Sequence, residues 1–303
     1  MWELLVQPME FPFMQHALAA AIISSVVCAL LSCWLVLMGW SLMGEAVAHS
    51  ILPGIVLAHI FGLPMALGAF VFGMLAVLLI GGISGGSTLK HDTSIGVVFT
   101  SLFALGLVLI SRTPSETHLT HILFGNVLGI SQQDLLQTAG LGLATVAVLL
   151  ALRRSFVLLA FDKVHAHTIG ISSGALSILL LALLALTTVT SLQTLGILLV
   201  VAMLVVPGAT ALLLCRRFGQ MLAVAATSAA VSALIGVYAS YWLDISTGGS
   251  IVLAQSGQFA LAYLFAPVKG MIPRLRQRRQ RPASDRVSPT RPIDTFLDVK
   301  DPA

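Results

Sequence analysis

The stretch Gly39–Gly54 reads GWSLMGEAVAHSILPG, and its reading decides what kind of protein the chain is. It places Glu45 and His49 four residues apart inside an otherwise apolar segment. On an α-helix, positions i and i+4 share a face, so a carboxylate and an imidazole point the same way. An ionisable side chain at membrane depth is costly and marks a functional position by default. Oxygen and nitrogen donors together suit a divalent transition metal. The same spacing also suits a buried hydrogen-bonded pair that only supports helix packing, and spacing alone leaves both readings open.

The composition around this stretch sets the class. Of 303 residues, 57% are hydrophobic and only 9% charged, with a mean hydropathy of +0.99. Soluble domains carry roughly 25% charged residues. The expectation is an all-α, polytopic membrane helix bundle, with residues 1–270 as one transmembrane domain. The net charge of +4 does not point to nucleic acid, because the basic residues are not spread over a domain surface. Cys28, Cys33 and Cys215 lie singly in or beside apolar runs, without the paired spacing of a disulfide framework or thiolate zinc site. They read as small apolar residues. The N-terminus lacks a basic leader segment, and its first apolar run is too long for a cleaved signal peptide.

Apolar runs of about 20 residues, the length a bilayer core requires, fall near 16–38, 41–60, 64–83, 94–111, 133–152, 173–190, 195–215, 221–243 and 248–267. The second is interrupted by Glu45, His49 and Pro53, so it is either a full span or a broken, re-entrant helix. The count is accordingly eight or nine. With nine spans and the C-terminus in the cytoplasm, fifteen of the sixteen Lys and Arg fall on the cytoplasmic side, and only Arg112 does not. That is the distribution expected of inner-membrane proteins. Residues 271–303 are basic, Pro-rich and without apolar periodicity, and should form a disordered cytoplasmic tail that anchors topology. Gly81–Lys90, GGISGGSTLK, lacks the order of a phosphate-binding loop and reads as a flexible turn. The chain therefore shows no means of hydrolysing ATP.

The remaining histidines carry less. His118 and His121 read as a solvated outer-loop pair, His59 as interfacial, and His16 and His91 have no partners in sequence. The segment Ala160–Ser172, AFDKVHAHTIGIS, differs in kind. Asp162 is suited to start a short helix and Gly170 to end it. Such a helix on the inner face is either an ordinary connection or a docking knob.

Six blocks then occur in order: GWSLMGEAVAHSILPG, DTSIGVVFTSLFALGLVLIS, HILFGNVLGIS, FDKVHAHTIGI, TLGILLVVAMLVVPGATALLL and ISTGGSIVLAQSGQFALAYLFAP. Together they resemble the permease subunits of bacterial ABC importers for manganese, zinc and iron, over roughly residues 10–267. The branch they resemble most is the manganese/iron one, on HILFGN and SYWLDISTGGSIV.

The resemblance implies a specific set of roles. Glu45 and His49 match the carboxylate and histidine of a G-D-x-x-x-H motif that contacts the passing cation, with Glu here where Asp is usual. The extra methylene moves the carboxylate by about 1.5 Å. Asp162, Ala166, Gly170 and Ile171 match a coupling helix that docks into the ATPase subunit, and Pro207 and Gly208 fall in a span that lines or flexes near the path. Implied partners are cytoplasmic ABC ATPases that bind ATP, a second permease subunit, identical or similar, an extracytoplasmic metal-binding protein and membrane lipid. No cofactor is held permanently. Mn²⁺ or Fe²⁺ is the expected cargo, with Zn²⁺ the alternative within the family.

Two rivals come from other classes. An intramembrane metalloenzyme would use Glu45 to activate water, but there is no HExxH and no third ligand in sequence. A stand-alone secondary transporter would commonly show an inverted repeat, and none is evident. The topology is directly testable. Alkaline phosphatase fused after Pro114 should be active, and fused after Lys269 inactive; the reverse pattern would invert the orientation.

Overall fold

The computed structural model describes residues 7–86, 88–112, 129–162, 166, 168, 170, 172–266 and 270. Beyond one short helical turn at Gln7–Glu10, the first helices are α1 (Pro12–Leu37), α2 (Ser41–Ser50), α3 (Leu52–Ile60), α4 (Met65–Gly86) and α5 (His91–Arg112). They are followed by α6 (Gln132–Ala151), α7 (Arg153–Phe161), α8 (Ser173–Leu195), α9 (Ile197–Leu214), α10 (Phe218–Leu243) and α11 (Thr247–Phe265). No strand occurs among the described residues. The tail 271–303, the outer-loop pair His118 and His121, the HILFGN block and Ile171 lie outside the described residues.

Eight helical stretches are long and apolar enough to cross a membrane, with α2 and α3 counting as one stretch, Ser41–Ile60. The second span is not broken at Ile51. The Ile51 N–H bonds to the Val47 carbonyl at 3.2 Å and the Ile55 N–H to the Ile51 carbonyl at 3.1 Å, so the ladder runs through the break. The irregularity at Ile51 comes from Pro53, which has no N–H to donate back to the preceding turn. The remaining helix, α11, is 19 residues long but is diluted by Thr247, Ser250, Gln255, Ser256 and Gln258. It packs lengthwise on α10. There Ser240 Oγ meets Thr247 Oγ1 at 2.7 Å, and the Ser250 hydroxyl donates to the Gly236 carbonyl at 2.7 Å.

Burial sorts the helices into inner and outer. In α1 and in the second span 72% of the apolar window is buried, against 28% in α4 and α5 and 22% in α6. α1 is the centre, in contact with α9, α10, α6 and α8. Its small residues, Ala17, Ala20, Ala21, Ser24, Ser25, Cys28 and Ala29, let neighbours approach closely. Cys28 and Cys33 are free and buried here, as small core residues. At the far end Trp34 closes the bundle, edge-on to Phe156 of α7 and Phe218 of α10 with ring centroids 6.1 and 5.0 Å away.

One expectation needs correction. Gly81–Gly86 is not a flexible turn but the last part of α4. Ile80 is buried and Ile83 packs on the core, so tertiary contact holds the glycines helical against their low propensity. Elsewhere glycine is required. Gly54 of α3 and Gly68 of α4 meet backbone to backbone, and a Cβ on either would enter the other's carbonyl. A Gly54→Val change should therefore destabilise the chain by about 1–3 kcal/mol, the cost of overpacking. Thermal unfolding in detergent would read this as a lowered midpoint, and an unchanged midpoint would refute the contact.

Candidate functional site

Within α2, the buried residues are Met43, Gly44, Ala46, Val47, Ala48 and Ser50. Leu42 is exposed, while Glu45 and His49 are half-buried. Positions 42, 45 and 49 follow the i, i+3, i+7 spacing of one helix face, so the carboxylate and the imidazole lie on the least buried stripe of α2, left partly open. The other faces are tightly held: Gly44 packs on Leu204 of α9, where an added Cβ would sit 3.1 Å from that side chain.

The imidazole is positioned by aromatic rings. Its centroid lies 5.2 Å from Phe103, edge-on at 79°, and 5.7 Å from Phe99, tilted at 44°. Both phenylalanines belong to α5, four residues apart, so they form one ridge against α2. Nδ1 of His49 is buried with no hydrogen-bond partner among the described residues. The ring is thus oriented by packing and not by the carbonyl or carboxylate that normally fixes a metal-ligating histidine. Phe99 and Phe103 were not singled out in the sequence. Their i, i+4 spacing in VVFTSLFALG was the available signal.

Among the described residues no group of three or more His, Cys, Asp or Glu converges to hold a metal ion. Among the described residues, Glu45 and His49 thus supply two donors of the type a divalent transition metal takes. That set is too small for a resident structural ion and is compatible with a passing cargo.

The other candidates separate by position. Pro207 and Gly208 are buried, with Gly208 packed on Ser32 of α1, 2.7 Å from its carbonyl to an added Cβ. Their link to the site is through α9, whose Leu204 backs Gly44. Asp162 caps the end of α7, and its carbonyl accepts the Ala166 N–H at 3.1 Å, so a turn starts there. Ala166 is fully buried, whereas Gly170 is exposed with φ +80°. His91, which had no partner in sequence, has one in space: its Nδ1 is 3.0 Å from Ser84 Oγ, and its ring is 6.5 Å from that of Trp40. His59 is half-buried at the end of α3, as an interfacial position requires.

Comparison with known proteins extends this geometry. The model of the ABC 3 transport family matches residues 10–266. A probable iron transport system membrane protein of Haemophilus influenzae is 48% identical over 269 residues, covering 89% of this chain and 99% of its own. The manganese transport system membrane protein MntB of Synechocystis is 45% identical over 281 residues, covering 93% of this chain and 92% of its own. YfeD of Yersinia pestis, a chelated iron transport system membrane protein, is 45% identical over 289 residues, or 95% and 96% of the two chains. Among solved structures, PsaBC of Streptococcus pneumoniae in complex with Fab superposes with a TM-score of 0.81 at 37% identity, covering 88% of this chain and 96% of that one.

Proposed function

Since this chain belongs to the ABC 3 transport family, and is a multi-pass permease subunit of that type, we propose that its cargo is Mn²⁺ or Fe²⁺ and that Glu45 and His49 form a transient station on the path. The carrying observation is the open stripe of α2. A carboxylate and an imidazole within a span 72% buried cannot be left facing lipid. They must meet a polar partner or water, and among the described residues the rings of Phe99 and Phe103 are what stands against His49. A second permease subunit, identical or similar, placed against the stripe would enclose a polar path and bring two further donors.

The chemistry of the pair fits conduction. Transport requires binding favourable enough to enter and weak enough to leave. A shell of two donors per subunit, with His49 held by ring packing and no second hydrogen bond, can fill and empty without dismantling a closed site. Glu45 supplies the charge that offsets the cation's lost hydration, and His49 supplies a softer nitrogen that favours transition metals over Mg²⁺ or Ca²⁺. Zn²⁺ shares these donors and is the alternative cargo.

The energy source lies in partner subunits. A cytoplasmic ABC ATPase would engage the segment after α7, where buried Ala166 seats the turn and exposed Gly170, with Ile171 beyond it, meets the partner. ATP binding and hydrolysis there would bias two arrangements of the permease pair. Pro207 marks where α9 can flex behind the station. A metal-binding protein outside the membrane would deliver the ion. With α11 as a ninth span, the C-terminus would lie in the cytoplasm, the basic tail from 271 anchoring that orientation.

Two outcomes test the assignment. His49→Ala should abolish uptake of radiolabelled Mn²⁺ and Fe²⁺ in cells while the purified complex keeps its ATPase subunit; loss of assembly would make the pair structural. Gly170→Trp should weaken ATPase association and reduce uptake with Glu45 and His49 intact, and normal association with normal uptake would remove this segment from the coupling role.

A further inference from the structure

A groove of about 530 Å³ opens on the basic side of the bundle. Its floor is Val157, Leu158 and Phe161 of α7 with Phe218 and Leu222 of α10, and Arg153 and Arg154 stand at its rim. Both arginines are exposed, and Phe161 is 73% exposed. Arg216 and Arg217, also exposed, immediately precede Phe218, so the second wall of the groove begins with two more cations. Beneath the groove, Phe156 and Phe218 are fixed through Trp34 of α1, which makes its walls rigid.

The position of the groove says what covers it. α7 follows α6 with only Leu152 between them, and α6 is the least buried span, 22% of its window. α10 shows Val231, Leu234 and Ile235 on its outer surface. The groove therefore lies between the ends of two spans with exposed apolar surface, and its floor includes the first residues of one of them. At this level the bilayer offers an anionic phosphate directly above an acyl chain. Arginine binds phosphate through two parallel N–H donors, and basic pockets at the ends of membrane helices recruit anionic headgroups.

We propose that this groove binds one anionic phospholipid, its phosphate on Arg153 and Arg154 and the start of an acyl chain along Val157, Leu158, Phe218 and Leu222. The volume falls within the range of ligand sites, roughly 300–1,000 Å³. The occupant matches both chemistries of the groove at once, cationic at the rim and apolar along the floor. A soluble protein partner would satisfy the arginines but would have to bring its own apolar wedge to cover Phe161 and Leu158.

The test uses the permease purified from membranes together with its ATPase subunit in mild detergent. Native mass spectrometry should find phosphatidylglycerol retained by the unmodified complex. Retention should fall several-fold in the Arg153→Gln/Arg154→Gln variant with the ATPase subunit still bound. Leu158→Trp, which fills the floor and keeps both arginines, should also lose the lipid. In nanodiscs, adding phosphatidylglycerol to phosphatidylcholine should raise the thermal midpoint of the unmodified complex and leave that of the double variant unchanged. Equal phosphatidylglycerol on the unmodified complex and both variants would overturn the site. Loss of the ATPase subunit from the double variant with lipid content unchanged would also overturn it, assigning the groove to that protein instead.

Discussion

The constraint on which this architecture depends is that a bilayer offers no hydrogen bonds. Every polar group at membrane depth must be satisfied by the protein or be used by it. Several hydroxyls here turn back on their own helix: Thr190 donates to the Leu186 and Thr187 carbonyls, Thr210 to Val206, and Thr227 to Ala223 and Val224. Others tie helices together, as Ser240, Thr247 and Ser250 do between α10 and α11. Glu45 and His49 follow neither pattern. They are the carboxylate and imidazole on the least buried stripe of α2, and their metal-donor chemistry makes them the candidate site.

The surrounding bundle holds α2 in place without closing that face. Since lipid tails are as apolar as leucine, helices in a membrane associate through close packing and not through a hydrophobic driving force. Small residues do this work at each buried seam: the alanines and serines of α1, Gly44 against Leu204, Gly54 against Gly68, and Gly208 against Ser32. α5 contributes bulk instead, with Phe99 and Phe103 walling in the imidazole. The result is a helix fixed on its inner faces by tight contacts, with a charged stripe left for whatever lies outside the chain.

Element by element, the membrane helices were legible because a span is set by apolar length, a local property. The apolar run at 133–152 corresponds to α6 at Gln132–Ala151, and the run at 221–243 extends to α10 at Phe218–Leu243. One misreading came where tertiary contact outweighed local preference: Gly81–Gly86 is helical because Ile80 and Ile83 hold it. Pro53 distorts the second span without breaking it. The burial of Pro207 and Gly208 against α1 follows from an approach between distant helices that no local pattern encodes.

The sequence by itself determined the class of the protein, its span count to within one, the charge asymmetry between its two sides, and the placing of Glu45 and His49 on one helix face. All of these follow from periodicity and composition over a few turns. Only the tertiary structure decided which face of α2 stays open, which rings hold His49, which helices are inner and which face lipid, and that Arg153, Arg154, Phe161 and Phe218 share one groove. Those depend on contacts between residues tens to hundreds of positions apart, and in a membrane such contacts are chosen by shape, which the order of residues along one helix does not reveal.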